Sequence, residues 1–493
     1  MTTPAALGID LGTSSVKAML LDPTDGSVLA QADAAYPVDR PRLGWAETDP
    51  EQWWAAVRQT VATVTAAVPD RLVAGIGLSG QMHGVVLCGS DGIPTRAAVL
   101  WADARAEGEL EAYRALPEAD LARLANPLSP GMAGPILAWL HRHEPAAVAA
   151  ARYALQPKDW IRARLTGRFA AEPSDASGTL LYDVLTQDWS EAVVAALGIR
   201  RDLLPTILAN PSTPAGTVTP EAAQQLGLPL GIPVAAGAGD TAAAMLGSGL
   251  VEPATTQLTI GTGVQMVTPV DRPTAALLRQ VPSPVVHRYR SARDDGWYAM
   301  AAGMTGGQTL DWVRGVLGAD WDELYAAADR RPESDDPVFL PHLVGERTPY
   351  LDTHMRGAWT GLSPRHDRTA LLHAALEGVA FAVADGLDTL QRRGPAGRDL
   401  RLAGGGTTSP AWRRLLADVL GARLHAVEVP GASARGAALL GAQVAGLADD
   451  AHLARIITAR TTLVAEPGSD AGARQERRAG YLATLQALRA VQR

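Results

Sequence analysis

The stretch that decides the fold lies near the start of the chain and reads Ala6-Leu-Gly-Ile-Asp-Leu-Gly-Thr-Ser-Ser-Val-Lys-Ala-Met-Leu-Leu-Asp22. Two apolar runs flank a Gly-Thr-Ser-Ser turn, a pattern typical of a β-hairpin. A similar pattern recurs about half the chain length later, at Gln257-Leu-Thr-Ile-Gly-Thr-Gly-Val-Gln-Met-Val267. That spacing is too long for a solenoid repeat. It predicts two large domains, each of which opens with a strand, a tight turn and a strand.

Between and after the two hairpins, short apolar runs alternate with amphipathic stretches, which predicts an α/β fold in both halves. Strands are predicted at 73–78, 97–101 and 233–238, and helices at 49–68, 135–142, 159–165, 307–317, 370–392, 410–420 and 471–493. A Pro- and Gly-rich stretch at 210–217 is predicted to be a surface loop. We place the domain boundary near 247–252, which divides the chain into residues 1–247, with the first hairpin at 7–22, and residues 248–493.

Composition excludes several function classes. The 493 residues carry a net charge of −8, which argues against a nucleic-acid partner. The lysines are Lys17 and Lys158, and neither follows a glycine or precedes Ser or Thr, so a Walker-type phosphate loop is excluded. The single cysteine, Cys88, excludes an intrachain disulfide and a CxxC zinc site.

The sequence predicts a cytoplasmic protein without a membrane partner. Residues 1–7 have no basic segment followed by a long apolar run, so no signal peptide is expected. No run of 18 apolar residues occurs, and the most apolar stretch, near 232–258, is interrupted by Asp240 and Glu252.

Asp10 is a carboxylate inside the otherwise apolar first strand. A carboxylate is costly to bury there unless it has a partner. A hydrated Mg²⁺ would be a suitable partner, because this cation is typically held by one or two carboxylates together with phosphate oxygens. The alternative is a turn residue that hydrogen-bonds to its own backbone.

The two hairpin turns, at Gly12-Thr13-Ser14 and Gly261-Thr262-Gly263, present consecutive backbone N–H groups without bulky side chains. Such concavities bind anions. Each turn alone is a common dipeptide pattern, but two at half-chain spacing could hold a triphosphate from both sides of one cleft.

Asp240 follows an apolar strand, and ligands of α/β sheets gather beyond the carboxyl ends of strands. A carboxylate at this place could take the proton of an attacking hydroxyl. By residue type alone it could equally be the N-cap of a helix that begins at Thr241.

Further polar or glycine-rich segments follow other predicted strands. Gln81-Met82-His83-Gly84 and Trp101-Ala-Asp103-Ala-Arg105 offer donors and acceptors that suit a polyhydroxylated ligand, although such residues are often structural. Gly404-Gly405-Gly406 and Gly306-Gly307 would let the backbone approach a nucleotide base or ribose closely.

Taken together, these residues resemble the FGGY carbohydrate kinases of the actin-like ATPase superfamily. The resemblance runs from about residue 7 to residue 445. The most specific motifs are Gly8-Ile-Asp-Leu-Gly-Thr-Ser14, Gly80-Gln-Met-His-Gly84, Pro157-Lys-Asp-Trp160, Ser174-Asp-Ala-Ser-Gly-Thr179, Phe339-Leu-Pro-His-Leu-Val-Gly-Glu-Arg-Thr-Pro349 and Arg401-Leu-Ala-Gly-Gly-Gly406.

The resemblance implies two actin-like, ribonuclease H-like α/β domains around a deep catalytic cleft, with the sugar on the first domain and ATP mainly on the second. It implies in-line transfer of the γ-phosphoryl group to a sugar hydroxyl and a homodimer. The implied site residues are Asp240 as the general base, Asp10 for Mg²⁺, Met82, His83, Asp103 and Thr241 for the sugar, and Thr13, Gly261, Thr262, Gly307, Gly405 and Gly406 for ATP. Phosphoryl transfer needs positioning and charge neutralisation, which such a set supplies without a Walker lysine.

The implied substrate is D-xylulose, because the Met82-His83 pair is typical of kinases for this sugar. The alternative within the family is another ketose or polyol, such as ribulose or a sugar alcohol, since Thr241 stands where Asn is common. A second departure is Arg435, in a glycine-rich segment expected at the rim of the nucleotide site. A filament or chaperone ATPase and a sugar-sensing repressor are disfavoured, the latter because the first hairpin starts at Leu7.

Overall fold

The protein consists of alternating strands and helices, described from a computed structural model for residues 3–253, 255–281, 283–331, 333–392, 399–457 and 461–492. The strands are β1 Thr3–Leu11, β2 Ser15–Leu21, β3 Val28–Ala35, β4 Glu47–Thr48, β5 Arg71–Gly80, β6 Val86–Cys88, β7 Ala98–Val99, β8 Tyr153–Leu155, β9 Tyr182–Asp183, β10 Asp188–Trp189, β11 Pro214–Thr217, β12 Pro233–Ala235, β13 Ala238–Gly239, β14 Thr256–Ile260, β15 Val264–Val270, β16 His287–Arg290, β17 Trp297–Gly303, β18 Val338–Leu340, β19 Ala358–Thr360, β20 Asp399–Ala403, β21 Arg423–Val427 and β22 Thr461–Ala465.

The helices range from single turns to long core helices. They are α1 Pro50–Ala67, α2 Leu110–Arg114, α3 Glu118–Leu124, α4 Ala133–His143, α5 Pro145–Ala150, α6 Pro157–Thr166, α7 Pro173–Ala176, α8 Glu191–Ala196, α9 Pro220–Leu226, α10 Asp240–Gly247, α11 Ala275–Gln280, α12 Gly307–Leu317, α13 Trp321–Ala326, α14 Arg368–Arg392, α15 Pro410–Leu420, α16 Ala432–Val444, α17 Asp450–Ile456 and α18 Ala471–Gln492. The helices predicted from the sequence are all present, with ends that differ by one or a few residues.

Two sheets organise the molecule, as the hairpin repeat predicts, and six strands of each follow the same order, to which the second sheet adds the edge strand β16. The first has the strand order β11-β12-β5-β1-β2-β3, with β13 also paired to β5, and the second has the order β16-β17-β15-β14-β20-β21-β22. In each sheet the opening hairpin is antiparallel, and its first strand pairs in parallel with a later strand, β5 or β20. The shared strand order confirms the predicted α/β fold with two domains.

Helix α16 crosses from the second half of the chain onto the first sheet. It packs on β1, β5 and α10, and this approach leaves no room for side chains at several glycines. A Cβ atom on Gly77 would overlap the carbonyl oxygen of Ala437, and one on Gly436 would overlap that of Ala243. Residues 432–456 therefore contribute to the core beneath the first sheet, while the division into 1–247 and 248–493 stays a prediction.

Two local predictions also differ from the structure. The stretch at 210–217 is not all loop, since Pro214–Thr217 forms the edge strand β11, where a proline is tolerated because one side of the strand needs no donor. The strand predicted at 233–238 is interrupted between β12 and β13, at Gly237, whose φ of +87° bends the chain.

Helix α14 contains a long apolar segment. Residues Arg368–Leu390 of α14 are long and apolar enough to cross a membrane, but this segment is mostly buried inside the molecule. It packs against α12, α15 and the second sheet. We therefore describe it as a core helix of the second domain.

Candidate active site

The first sheet brings two carboxylates to the same edge. Asp10 lies near the carboxyl end of β1, opposite Ser79 on β5, and Asp240 follows β13, whose Gly239 pairs with Gly80 at the end of β5. The carboxyl ends of parallel strands meet at one edge of a sheet, which is where α/β proteins bind ligands. The sequence prediction that both residues belong to one site agrees with this arrangement.

Asp10 is buried, and its Oδ1 accepts a hydrogen bond of 2.9 Å from Ser79 Oγ. Burial raises the pKa of Asp10, although the Ser79 hydrogen bond and the charge of Lys17 act in the opposite direction. Within the described ranges, no group of three or more His, Cys, Asp or Glu side chains could hold a metal ion. A cation at Asp10 would thus complete its coordination with phosphate oxygens and water, which is the arrangement that Mg²⁺ favours. The donor set fits a hydrated Mg²⁺ that binds together with a nucleotide.

Asp240 is partly exposed at the start of α10. Its Oδ1 accepts hydrogen bonds from the backbone N–H of Thr241, at 2.6 Å, and from Thr241 Oγ1, at 3.2 Å. Burial and, secondarily, the negative charge of Asp10 raise the pKa of Asp240 to about 6. A carboxyl group with this pKa is suited to accept a proton near neutral pH.

The capping interpretation of Asp240 is corrected by the helix boundary. Helix α10 begins at Asp240 itself, Gly239 is the N-cap residue, and no side chain caps the helix. The carboxylate is therefore held by its neighbour Thr241, at the position that directly follows β13.

A buried polar network supports the residue before Asp240. Ser174 Oγ accepts a hydrogen bond of 2.8 Å from the backbone N–H of Gly239 and donates one of 2.7 Å to Glu172 Oε1. Glu172 lies 3.4 Å from Lys158 Nζ, which also contacts Asp175 at 3.1 Å. Burial raises the pKa of Asp175 well above its ordinary value. Lys158, from the motif at 157–160, and Ser174 and Asp175, from the motif at 174–179, thus belong to the buried network that supports Gly239.

Met82 and His83 lie in the loop after β5, close to Gly239. Met82 is buried beside Tyr298, whose hydroxyl lies 3.8 Å from its sulfur. His83 has a φ of +75°, a strained conformation that in folded proteins often marks a functional site. Its Nδ1 lies 2.7 Å from the carbonyl oxygen of Gly178, so Nδ1 carries the proton and Nε2 is an acceptor. Burial lowers the pKa of His83 to about 4, which keeps the ring neutral.

Gln265, on β15 of the second sheet, reaches the first domain. Its amide nitrogen donates to Thr241 Oγ1 at 3.3 Å and contacts Met300 Sδ at 3.0 Å. This contact brings the turn that precedes β15 close to Asp240. Gln265 was not among the predicted site residues. A polar residue between the apolar Val264 and Met266 could have indicated a contact at this position.

Asp103 lies away from the cleft surface. Its carboxylate accepts hydrogen bonds from the backbone N–H of Ala46, at 2.6 Å, and from the Arg105 guanidinium, at 2.7 and 2.9 Å. It is buried, and these partners leave it no free face for a ligand. Through these contacts Asp103 holds the loop in which Trp101 donates to Thr13 Oγ1 at 3.0 Å, and its contact with the sugar stays a prediction.

The second phosphate turn is assembled from two separate segments. Gly261 and Thr262 are exposed, and their carbonyl oxygens accept hydrogen bonds from the N–H groups of Gly307, at 2.8 Å, and Gln308, at 3.0 Å. A Cβ atom on Gly307 would come within 2.6 Å of the Gly261 oxygen, so this close approach requires glycine. The structure brings together these residues as the sequence predicts.

Gly405 and Gly406 lie beside the same turn. They begin a short 3₁₀ segment after β20, and a Cβ atom on Gly406 would come within 2.9 Å of Ile260, the residue before Gly261. Strands β14 and β20 are parallel neighbours, which explains why residues almost 150 positions apart meet here.

An open cavity of about 520 Å³ is lined in part by residues that begin at Thr408, two positions after the glycine-rich segment. Its lining includes Thr408, Pro410 and Arg414 together with Trp321 and Tyr325, whose rings stack with centroids 5.5 Å apart. A flat aromatic wall suits a planar base. Sequence reasoning missed Trp321 and Tyr325, because only the fold brings α13 to this place.

Arg435 does not lie at the rim of this cavity. Its guanidinium donates to the carbonyl oxygens of Gly247, at the end of α10, and Ile456, at the end of α17, the latter at 2.8 Å. The expectation that it shapes the nucleotide site is therefore corrected: Arg435 joins three helices.

Comparison with known families identifies the class of protein. Residues 5–247 match the N-terminal domain, and residues 257–445 the C-terminal domain, of the FGGY family of carbohydrate kinases. The chain belongs to this family.

Individual relatives agree with that class. The chain is 37% identical over 421 residues to a xylulose kinase of Escherichia coli strain K12, covering 85% of each chain. A crystal structure described as a xyloylose kinase from Brucella ovis is similar with a TM-score of 0.90 and 34% identity, over 99% of this chain and 100% of that one. The structure of a gluconate kinase from Lactobacillus acidophilus is equally similar in fold, with a TM-score of 0.90, 25% identity and 98% coverage of both chains.

Proposed function

We propose that the protein transfers the γ-phosphoryl group of ATP to the terminal hydroxyl of D-xylulose and forms D-xylulose 5-phosphate. The observation that carries the proposal is the pair of carboxylates at one sheet edge, Asp10 and Asp240, beside the Met82-His83 loop. Relatives named xylulose kinase support the choice of sugar.

Asp240 is the general base in this proposal. Its pKa of about 6 leaves it mainly ionised at neutral pH and able to accept the hydroxyl proton as the oxygen attacks phosphorus. In the same step the bond between the γ-phosphorus and the bridging oxygen breaks, and ADP leaves.

The phosphates of ATP are held between the two turns, by Thr13 on one side and Gly261 and Thr262 on the other. The exposure of Gly261 and Thr262 and the partial exposure of Thr13 support this assignment, since turns of this kind bind anions. Asp10 would hold Mg²⁺ through water, and the bound ion would neutralise phosphate charge.

The adenosine lies against Gly307, Gly405 and Gly406, with the base in the cavity walled by Trp321 and Tyr325. The close backbone packing at Gly307 and Gly406 and the aromatic wall support this placement. Aromatic side chains stack readily on bases.

The sugar contacts Met82, His83, Asp240 and Thr241. Neutral His83 offers Nε2 as an acceptor for one hydroxyl, and Thr241, bridged to Gln265, offers a hydroxyl of its own. The alternative substrate is another ketose or polyol, because Thr241 replaces the Asn common at this position and a gluconate kinase shares the fold.

The test is an ADP-release assay with MgATP and a panel of D-xylulose, D-ribulose, L-xylulose, L-ribulose, xylitol, glycerol and gluconate. We expect kcat/KM for D-xylulose to exceed that for the other sugars by about a hundredfold, a ratio that a few specific polar contacts can supply. A preference for another compound in the panel would replace the substrate and keep the base and phosphate assignments. Lack of activity with all of them would contradict the proposed function.

We also propose a cytoplasmic location and a homodimer. The availability of ATP in the cytoplasm supports the location, and the resemblance to the family supports the homodimer. Cell fractionation and sedimentation of the purified protein test them separately.

A further inference from the structure

The C-terminal helix α18 contributes one fully buried tyrosine to the second domain. Tyr481 is 0% exposed, and its ring packs on Phe381 of α14 with centroids 5.3 Å apart. Its hydroxyl lies 3.1 Å from His342 Nε2. Burial raises the pKa of Tyr481 well above its ordinary value, so the hydroxyl stays protonated and donates to His342.

His342 also contacts the carboxylate of Glu346. The ring is fully buried, and its Nδ1 lies 3.2 Å from Glu346 Oε2. Because a carboxylate can only accept, Nδ1 carries the ring proton and donates to Glu346, which leaves Nε2 of the neutral ring to accept the hydrogen bond from Tyr481. Burial would raise the pKa of Glu346, but hydrogen bonds from His342, Thr305 and the N–H of Met304 hold it below its ordinary value. Glu346 is therefore ionised and accepts strongly.

Glu346 ends the chain of contacts at the loop that leads into α12. Its Oε1 accepts hydrogen bonds from the backbone N–H groups of Met304, at 2.6 Å, and Arg347, at 2.8 Å. Three residues after Met304, Gly307 donates to the oxygen of Gly261 in the second phosphate turn. A Cβ atom on Gly306 would likewise come within 2.7 Å of Gly263.

We propose that Tyr481 is a positioning residue for the nucleotide: through His342 and Glu346 it fixes the loop 304–308 and thereby the phosphate turn 261–263. The inference rests on the proposed binding of ATP at this turn. The hydrogen bonds are charge-assisted at Glu346, which makes them stronger than neutral ones. In this proposal the C-terminal helix α18 acts on the nucleotide site.

The test compares Tyr481→Phe with the wild-type protein. The variant keeps the ring that packs on Phe381 and removes the hydroxyl. We expect the KM for ATP, and the Kd of MgADP measured by calorimetry, to rise together by about three- to tenfold, the effect of losing one buried hydrogen bond. The KM for the sugar stays unchanged, because the chain of contacts does not reach the first domain.

Arg477→Ala is the matched control on the same helix. Arg477 pairs with Glu377 and donates to backbone oxygens near Pro337, so it attaches α18 to the domain without contact to His342. This variant should lower Tm and leave the Kd of MgADP unchanged. An equal rise of the MgADP Kd in both variants would reduce Tyr481 to a general anchor of the helix and overturn the proposal.

Glu346→Gln tests the same chain from its other end and does not depend on how Tyr481→Phe folds. It should raise the Kd of MgADP, and adding Tyr481→Phe to it should produce little further change, because residues acting through one chain are not additive. Fully additive effects, or an unchanged Kd in Tyr481→Phe, would contradict the inference. If the wild-type protein itself bound no MgADP, the proposed function would fail instead.

Discussion

The amide of Gln265 donates a hydrogen bond of 3.3 Å to the hydroxyl of Thr241, so a side chain of the second sheet touches the neighbour of Asp240 on the first. Thr241 in turn donates to Asp240 Oδ1 at 3.2 Å. The proposed base is thereby connected to both domains, and a change in their relative position alters the hydrogen bonds around it. Closure of the cleft on a sugar would then also align the base.

Thr241→Val tests whether this hydroxyl contributes to sugar recognition. The substitution keeps the side-chain shape and removes the hydroxyl, which leaves the Gln265 amide without this partner. We expect the KM for the sugar to rise by about five- to tenfold, with the KM for ATP unchanged. Thr241→Ser retains the hydroxyl and should behave like the wild type. Equal kinetics of all three proteins in the ADP-release assay would remove Thr241 from the site.

Asp240→Asn tests the assignment of the base. The amide cannot accept the hydroxyl proton, so kcat should fall by about 10²- to 10⁴-fold, the usual contribution of a general base. The affinity for MgADP, measured by calorimetry, should stay close to that of the wild type. Retention of a tenth of the activity would rule out this role.

The pH profile follows from the raised pKa of Asp240. With a pKa of about 6, the base is ionised above that pH and protonated below it. The kcat/KM for the sugar should therefore decline below about pH 6, by tenfold for each further pH unit. The MgADP Kd, measured with excess Mg²⁺, is the control and should change little across the same range. A profile that stays flat down to pH 4.5 would contradict the assignment.

The same pKa predicts that the base destabilises the folded protein. The folded state binds the Asp240 proton more tightly than the unfolded state, so stability decreases as pH rises from about 4 to about 6. Asp240→Asn removes this effect and should raise the free energy of unfolding at pH 7 by roughly 1–2 kcal/mol, allowing for partial exposure of the carboxylate. Denaturant titration measures it. The gain should disappear near pH 4, where the wild-type carboxyl group is protonated, and a loss at pH 7 would be the opposite of the expected sign.

Gly307→Ala tests the phosphate turn. The added Cβ would lie 2.6 Å from the Gly261 oxygen and must displace the turn, so the KM for ATP should rise by about tenfold or more. Gly315→Ala is a matched control on the same helix, where a Cβ meets no atom within 4 Å. It should leave the kinetics unchanged and stabilise the helix by about 0.5–1 kcal/mol. Similar kinetics of the two variants would separate Gly307 from the nucleotide site.

Residues within the hairpins and at strand ends could be predicted from the sequence, because their position depends on local pattern. Asp10, Thr13, Gly261 and Asp240 each follow or interrupt an apolar run, and the topology places the end of that run at the edge of a sheet. The repeat of the hairpin indicated two similar domains for the same reason.

Residues placed by distant packing could not be predicted. Trp321 and Tyr325 reach the glycine-rich segment only because α13 packs near α15, and Tyr481 reaches His342 across 139 positions of sequence. The bond from the Ala46 N–H to Asp103 could not be predicted either, because Ala46 lies 57 positions earlier in the sequence.

The return of α16 to the first sheet makes the protein difficult to divide. A fragment that ends at residue 247 would expose the glycine-lined surface of β1 and β5, and a fragment that begins at residue 248 would present the small residues of α16 to water. Neither fragment alone can bury the surface that the other part of the chain covers in the whole protein. The two halves therefore form one cooperative unit, in which the sugar-binding side and the nucleotide-binding side fold and unfold together.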